Sequence, residues 1–587
     1  MESLEALLTA PGAPFAVVRG EDGRLAYAEG PRTLREFAET TWAFGSTPFL
    51  ISETGRMTYG EFFAAASALA RRFLDAEDAG GYGLRPGDRA VIAMRNHPEW
   101  QVAFWAAQLA GLVAVPLNAW WTADEFAYAL DDCRPGVLLV DGERYERIAA
   151  WREGAPEKAP WVLVFHEEGR DVAGARVERY GELPAADPLL GPPDVDVAPD
   201  ADATILYTSG TTGRPKGAVA THHAHMGAIA NPRYFAALSA LARGLVPGQG
   251  PAPVGLLTFP FFHVAAFTGF YGAMAAGGTL VLLRKWDTDK ALAAIRQHGV
   301  AAFGGVPATA LQLLDRAEEL GDPLPTLTGF NTGGAAAPPQ IVGRLTARHG
   351  ERIEPRNGYG LTETLGGVTA NFGAQYRSWP ESVGKPAPAV EVRIAGPGGE
   401  PLPDGEVGEL WLRGQSLIRG YWEDPAATEA AFTADGWFRT GDLAVLAEGR
   451  ISVVDRIKDM VIRGGENVYC VEVEGCLHGH PDVLEAAVVG VPHPVLGEEV
   501  AAVVRSRPGS GLDERTLREF AALSLAAFKV PARVLVQEAE LPRNATGKVL
   551  KREVRLRFEP GRPGHPDGDL GRPDGDLGRS RDAASGE

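Results

Sequence analysis

The chain has 587 residues, 45% of them hydrophobic, enough to bury a large core and to form roughly two to four domains. Its 57 basic and 76 acidic residues leave a net charge of -19, which argues against a non-specific nucleic-acid surface and reads as solubility. Cys133, Cys470 and Cys476 are scattered without metal-ligand spacing, which excludes a disulfide framework and leads us to expect a reducing, cytoplasmic compartment.

Residues 1–45 carry few motifs and read as an extension to which the sequence assigns no role. The opening Met1-Glu2-Ser3-Leu4-Glu5 lacks the basic and apolar regions of a secretory signal. From Thr58 the pattern alternates: a helix over Tyr59 to Leu74, a strand at Arg89 to Met94, a helix over Glu99 to Ala110, and a strand at Val113 to Leu117. A helix at Ala123 to Asp131 and a strand at Val137 to Val140 follow. Such alternation predicts βαβ units and a largely parallel sheet with both faces covered. Two uncharged stretches, Val102 to Trp121 and Phe267 to Leu283, approach membrane-spanning length, but Gln108, Pro116 and Asn118 interrupt the first and Gly277-Gly278 the second. Each reads as a buried helix running into a buried strand, so no transmembrane segment is expected.

The run Thr204-Ile205-Leu206-Tyr207 predicts a strand that delivers the chain into Thr208-Ser209-Gly210-Thr211-Thr212-Gly213-Arg214-Pro215-Lys216-Gly217. Glycines let main-chain N–H groups approach phosphate oxygens, hydroxyls add donors, and Lys216 supplies positive charge. The Walker pattern is absent, because glycine follows the lysine and Pro215 intervenes. Farther on, Asn357-Gly358-Tyr359-Gly360-Leu361-Thr362-Glu363-Thr364 places an aromatic face for a purine beside a hydroxyl and a hard carboxylate suited to magnesium.

The string Tyr207 to Gly217 closely resembles the phosphate loop of the adenylate-forming superfamily, which includes acyl-CoA synthetases, aryl-CoA ligases, peptide-synthetase adenylation domains and beetle luciferases. The resemblance runs motif by motif from about Thr58 to about Glu553. It implies that Thr208, Ser209, Gly210, Thr211, Thr212, Gly213 and Lys216 hold the polyphosphate of ATP, and that Ser209 and Glu363 hold Mg2+. Gly334, Ala335 and Ala336 pass along adenine, together with Asn357, Gly358, Tyr359 and Gly360, while Thr362 reaches the α-phosphate. Asp442, in Thr440-Gly441-Asp442-Leu443, matches the residue that binds the ribose hydroxyls, although Gly441-Asp442 by itself reads as a turn. Arg456 matches an arginine that touches the nucleotide. His263 and Phe267, in Thr258 to Phe267, and Gly305 and Val306, before a helix at Ala308 to Asp315, match walls of the acyl site. His263 stands where amino-acid-activating relatives place an aspartate, so an amino-acid substrate would lack its counter-ion.

The resemblance also implies an α/β fold with a large N-terminal domain of βαβ-type sheets covered by helices, over 46–455, and a small mobile α+β lid over 460–557. A hinge at 456–459 would centre on Lys458, and Gly464 and Gly465 would face the coenzyme A tunnel. Ile462 and Asn467 stand where some long-chain relatives carry lysine and tryptophan. The lid is expected from strands at Ala486 to Val491, Val500 to Arg505 and Arg533 to Gln537 around a helix at Glu514 to Ala526. Lys548, in Leu541 to Leu550, matches the catalytic lysine, with Glu363 and Thr362 as the other catalytic groups. Residues 558–587 contain a short Pro-Asp-Gly-Asp-Leu-Gly-Arg repeat and read as a disordered tail.

The function this implies is an ATP-dependent acyl-CoA ligase acting on a largely apolar carboxylic acid, fatty or aryl, with ATP, Mg2+ and coenzyme A as cofactors. Two alternatives stand beside it: an acyl-AMP ligase loading an acyl carrier protein, and a non-catalytic homologue that binds nucleotide or acyl-AMP. The presence of Lys216, Glu363, Asp442 and Lys548 argues against the second. Homodimerisation would be analogy alone.

Overall fold

The computed structural model describes residues 1–154, 159–208, 214–544 and 547–559. Two compact units emerge, one of residues 1–457 with 545–548, the other of 458–544 with 549 onward. Two large sheets build the first unit. One has eight strands, with a parallel centre of Asp202–Thr208, Val113–Pro116, Arg89–Ala93, Val137–Asp141, Trp161–Phe165 and Val177–Arg179 in spatial order. The other has nine, with a parallel centre of Glu354–Leu361, Gly329–Thr332, Ala302–Gly305, Val254–Leu257, Thr279–Leu282 and Pro48–Ser52. A separate four-stranded antiparallel sheet ends in the strands Phe438–Ala447 and Arg450–Arg456.

Side-chain alternation separates the layers. Ala90 and Ile92 join the largest core cluster, while Val91 and Ala93 face a second one on the other side of their sheet. In the nine-stranded sheet Leu257, Leu280 and Leu282 likewise join the largest cluster, and Leu256, Val281, Phe303 and Phe330 form a third. The largest cluster therefore lies between the sheets, filled by helices Tyr59–Leu74, Pro98–Leu109, His222–Ala242 and Val264–Ala275. The two uncharged stretches prove to be such a helix followed by a central strand, and among the described residues no helix is long and apolar enough to cross a membrane.

Local signals explain the helix borders. Thr58 and Glu61 form a reciprocal capping box at the start of Tyr59–Leu74, and Thr122 and Glu125 do the same for Ala123–Cys133. His225, buried in helix His222–Ala242, uses both ring nitrogens, bonding Thr204 Oγ1 at 2.9 Å and Tyr271 Oη at 2.9 Å. It thereby pins the strand Asp202–Thr208 to the helix Val264–Ala275.

The smaller unit is an α+β body with a five-stranded sheet that includes Val483–His493, Gly497–Ser506 and Arg533–Gln537. The helix expected to reach Ala526 stops at Ala522. Phe558, assigned from sequence to the tail, is 4% exposed and packs with Val489, Val503 and Val554; the residues from 560 onward lie outside the described ones.

Residues 1–45 are an integral part of the larger unit rather than an appendage. Leu8 and Phe15 pack against Tyr234, Leu238 and Phe372, and Tyr27 donates to Asn231 Oδ1 at 2.8 Å. Phe15→Ala is expected to lower the stability of the larger unit by about 3 kcal/mol, the cost of truncating a packed aromatic. Urea unfolding followed by tryptophan fluorescence reads this directly, and an unchanged midpoint would mean the segment contributes nothing to the core.

Candidate active site

One group of candidate residues follows the carboxyl ends of neighbouring parallel strands. Gly305, Thr332 and Asn357 are register partners on three neighbouring strands. Gly305 and Thr332 end theirs, so Val306 and Gly333 to Ala336 leave the sheet side by side. Gly334 has φ +77°, a left-handed conformation that favours glycine, and Ala335 and Ala336 are exposed. The strand through Asn357 runs on as Gly358-Tyr359-Gly360 into the one-turn helix Thr362–Thr364. Gly360 is obligatory there, because a Cβ would lie 1.8 Å from the Gly366 carbonyl oxygen.

Asn96, just past the end of strand Arg89–Ala93, ties the two sheets together at this edge. Its Nδ2 donates to the Phe259 carbonyl at 2.9 Å, and its Oδ1 accepts from the Phe261 N–H at 2.8 Å. This fixes the segment leading to His263, whose Nδ1 accepts from the Ala265 N–H at 3.2 Å as the N-cap of helix Val264–Ala275. Its Nδ1 is thus committed to the helix, leaving Nε2 as the remaining polar atom of the ring. Phe267 is fully buried among Phe104, Phe270 and Tyr271, so its side chain belongs to the aromatic core.

Tyr359, Asp442 and Arg456 come together although the sequence spreads them over almost a hundred positions. Tyr359 Oη donates to Asp442 Oδ2 at 2.6 Å, and Arg456 Nε lies 3.1 Å from Asp442 Oδ1. Burial, and then the Asp442 charge, push the Tyr359 phenol well above its ordinary range, so it stays a donor. Asp442 does not sit in a turn, as its Gly-Asp context suggests. It lies within strand Phe438–Ala447, 2% exposed, directly across from Arg456 on the next strand.

The stretch expected from sequence to bind phosphate joins two antiparallel strands. Thr208 and Lys216 are register partners, so Lys216 and Gly217, assigned from sequence to the loop, begin strand Lys216–Thr221. Ser209, Gly210, Thr211, Thr212 and Gly213 lie outside the described residues. One helix, Ala123–Cys133, holds both stems: Tyr207 Oη donates to Asp132, and Tyr128 Oη donates to the Pro215 carbonyl at 3.2 Å. Tyr128 and Asp132 are one turn apart and share a face.

The segment Ile418 to Trp422, which sequence reasoning overlooked, joins this hairpin to the turn that carries Thr362 and Glu363. The Arg419 N–H donates to the Val219 carbonyl at 2.9 Å and the Trp422 N–H to the Gly217 carbonyl at 2.7 Å. On the other side, the Ile418 N–H donates to the Glu363 carbonyl at 3.0 Å. Tyr421 Oη donates to Glu363 Oε1 at 2.9 Å, and Lys216 Nζ lies 5.4 Å from the centre of the Tyr421 ring. Burial and the Glu363 charge raise the Tyr421 phenol far above its usual range. Only the Gly-Tyr pair after Arg419 could have drawn notice in the sequence, and it matches no chemical motif.

In the smaller unit, Gly464 and Gly465, with φ of +62° and +90°, form the two-residue turn of a hairpin between Val461–Arg463 and Glu466–Val468. Lys458 is its first residue. Lys548, which groups with the larger unit, is exposed and lies between Arg543 and Val549, which pair across an isolated bridge.

Residues 37–422 match the family model described as AMP-binding enzyme, and residues 472–548 match AMP-binding enzyme C-terminal domain. The chain is 36% identical over 504 residues to a feruloyl-CoA synthase from Amycolatopsis sp, covering 86% of this chain and 94% of that protein. It is 34% identical over 505 residues to the long-chain-fatty-acid–CoA ligase FadD13 of Mycobacterium tuberculosis, covering 86% and 93%. Among solved structures, amide bond synthetase McbA from Marinactinospora thermotolerans superposes with a TM-score of 0.75 at 28% identity, covering 90% of this chain and 100% of that one.

Because Asp442 is the acceptor for two neighbours, Asp442→Ala should destabilise the larger unit by about 3 kcal/mol, as for a buried pair losing one partner. Asp442→Asn keeps an acceptor and should cost roughly half of that. Urea midpoints for the two variants check the order; equal midpoints would mean that the carboxylate does not hold Tyr359 and Arg456 in place.

Proposed function

Since the chain belongs to the AMP-binding enzyme family, we infer that it joins a largely apolar carboxylic acid to coenzyme A at the expense of ATP. It is an AMP-forming acid–CoA ligase that uses ATP, Mg2+ and coenzyme A. The observation that supports assigning the chemistry to specific residues is the grouping, within one unit, of Tyr359, Asp442 and Arg456, with Lys216, Tyr421 and Glu363 joined to one another by Tyr421.

A carboxylate is a poor acyl donor because its leaving group would be oxide. Its attack on the α-phosphate of ATP displaces pyrophosphate and creates an acyl-AMP, from which AMP departs readily. Asp442 receives the ribose hydroxyls, Tyr359 offers its ring to adenine, and Thr362 reaches the α-phosphate. Lys216 and the residues from Thr208 to Gly213 receive the polyphosphate. Glu363 fits Mg2+ as a hard anionic ligand: among the described residues it makes no ion pair, and one of its oxygens is held by Tyr421. Ser209 is the other residue assigned to the ion. Bound there, Mg2+ screens the phosphate charge against the approaching carboxylate. Lys548 stabilises the charge that gathers between the carboxylate and the α-phosphate, so this step depends on positioning and electrostatics. A turn of the smaller unit about Lys458 then withdraws Lys548 and brings the Gly464-Gly465 turn toward the coenzyme A thiol.

The acid is fatty or aryl. The relatives named for feruloyl and long-chain fatty acids support this range, and His263, standing where a counter-ion to an amino acid would be, supports an apolar substrate. A cytoplasmic setting fits three cysteines that are all free thiols.

Two experiments follow. Purified protein with MgATP and a panel of fatty and aryl acids, with and without coenzyme A, should release AMP and acyl-CoA for one acid class by mass spectrometry. Acyl-AMP that persists despite coenzyme A would point to a carrier-protein acceptor, and no turnover across the panel would overturn ligation. In the second, Lys548→Ala should lower acyl-AMP formation at least about a hundredfold, as for loss of one charge-stabilising group, yet spare thioester formation from supplied acyl-AMP. Equal loss of both half-reactions would sink the role given to Lys548.

A further inference from the structure

Lys216 and Glu363 carry opposite charges and both meet one ring, that of Tyr421. The ammonium lies 5.4 Å from the centre of the Tyr421 ring, and the carboxylate accepts from the Tyr421 hydroxyl at 2.9 Å. Among the described residues neither group makes an ion pair. Opposite charges that meet the same side chain attract, and a closed ion pair would neutralise the charges that polyphosphate and a divalent cation need.

Tyr421 answers both groups without neutralising either. Its ring attracts the ammonium through the aromatic quadrupole, and its hydroxyl gives the carboxylate a neutral donor. Its place is fixed by the backbone. Tyr421 pairs across the sheet with Ala218, its N–H donates to Thr428 Oγ1 at 2.8 Å, and the next N–H is bonded to Gly217 beside Lys216. From the other side, Ile418 binds the main chain of Glu363 itself. The ring therefore stands on a strut attached to the main chain beside both groups that it contacts.

We propose that Tyr421 is a positioning residue that keeps Lys216 and Glu363 from pairing, so that the first is presented to the polyphosphate and the second to the divalent cation. The inference rests on the reading of Lys216 and Glu363 as ligands of MgATP. It extends that reading to the residue that contacts both of those groups.

Calorimetric titration of the full chain with MgATP, and separately with metal-free AMP, tests it on wild type, Tyr421→Phe and Tyr421→Leu. Phenylalanine keeps the ring and loses the donor, so MgATP affinity should fall about tenfold, the size of one charge-assisted hydrogen bond. Leucine also removes the aromatic face, which should bring a further loss of about tenfold through closure of the ion pair. AMP affinity, which needs neither group, should stay within about twofold throughout, and this also reports that the variants fold. The decisive arm is Mn2+ binding to the ATP-saturated enzyme, followed by electron paramagnetic resonance. Adding Lys216→Met to Tyr421→Leu should raise Mn2+ affinity above that of Tyr421→Leu alone, because Glu363 is released. Wild-type affinity in both single variants, parallel loss of AMP and MgATP, or no gain in the double variant would each overturn the proposal. A wild-type enzyme indifferent to the metal would instead remove the reading of Lys216 and Glu363 on which it rests.

Discussion

In a parallel sheet every strand ends at the same edge, and the residues that follow must leave it next to one another. That constraint assembles this site. Gly305, Thr332 and Asn357 belong to separate motifs, yet hydrogen-bond register sets them in one row. No direct attraction between those residues is required, since the ladders and the packed helices fix the row. Asn96 then extends the edge across the gap between sheets, satisfying one donor and one acceptor of the Phe259 to Phe261 backbone with a single side chain.

The carboxylates around this edge are held in a common way. Asp442 accepts from Tyr359, Glu363 from Tyr421, and Asp132 from Tyr207. A buried phenol is a neutral donor, so it fixes a carboxylate while leaving its full negative charge. Burial strengthens the arrangement by making ionisation of the phenol costly. Among the described residues an arginine ion pair is seen in one of these groups, beside Asp442, where it balances the charge of the most enclosed of the three carboxylates.

Much of the fold was legible because local and tertiary signals agree. The helix Tyr59–Leu74 has the limits its sequence predicts, since the Thr58–Glu61 capping box and the apolar periodicity mark the same start. Strands read poorly where a motif looked like a loop. Lys216 follows a glycine- and proline-containing run, yet cross-strand pairing with Thr208 draws it into the sheet. Gly441-Asp442 has the composition of a turn, but its neighbours pair on both sides and glycine relieves an irregularity within the strand. The first 45 residues lacked motifs because their contribution is packing, which depends on partners such as Tyr234 and Phe372 far along the chain. Asn96 and Tyr421 escaped notice for a related reason: their importance lies in what they join, and no spacing rule encodes that.

The clamp between Asp442 and Arg456 has a mechanical consequence. Arg456 is only two positions from Lys458, where the smaller unit begins. Its strand is secured by the ladder to Phe438–Ala447 and by its own side chain on a nearly buried carboxylate. A pull on the main chain beyond Arg456 therefore meets a fixed abutment before it reaches Tyr359. Strain in the backbone just beyond Arg456 is taken up by the Asp442 carboxylate, on which the Tyr359 hydroxyl also rests.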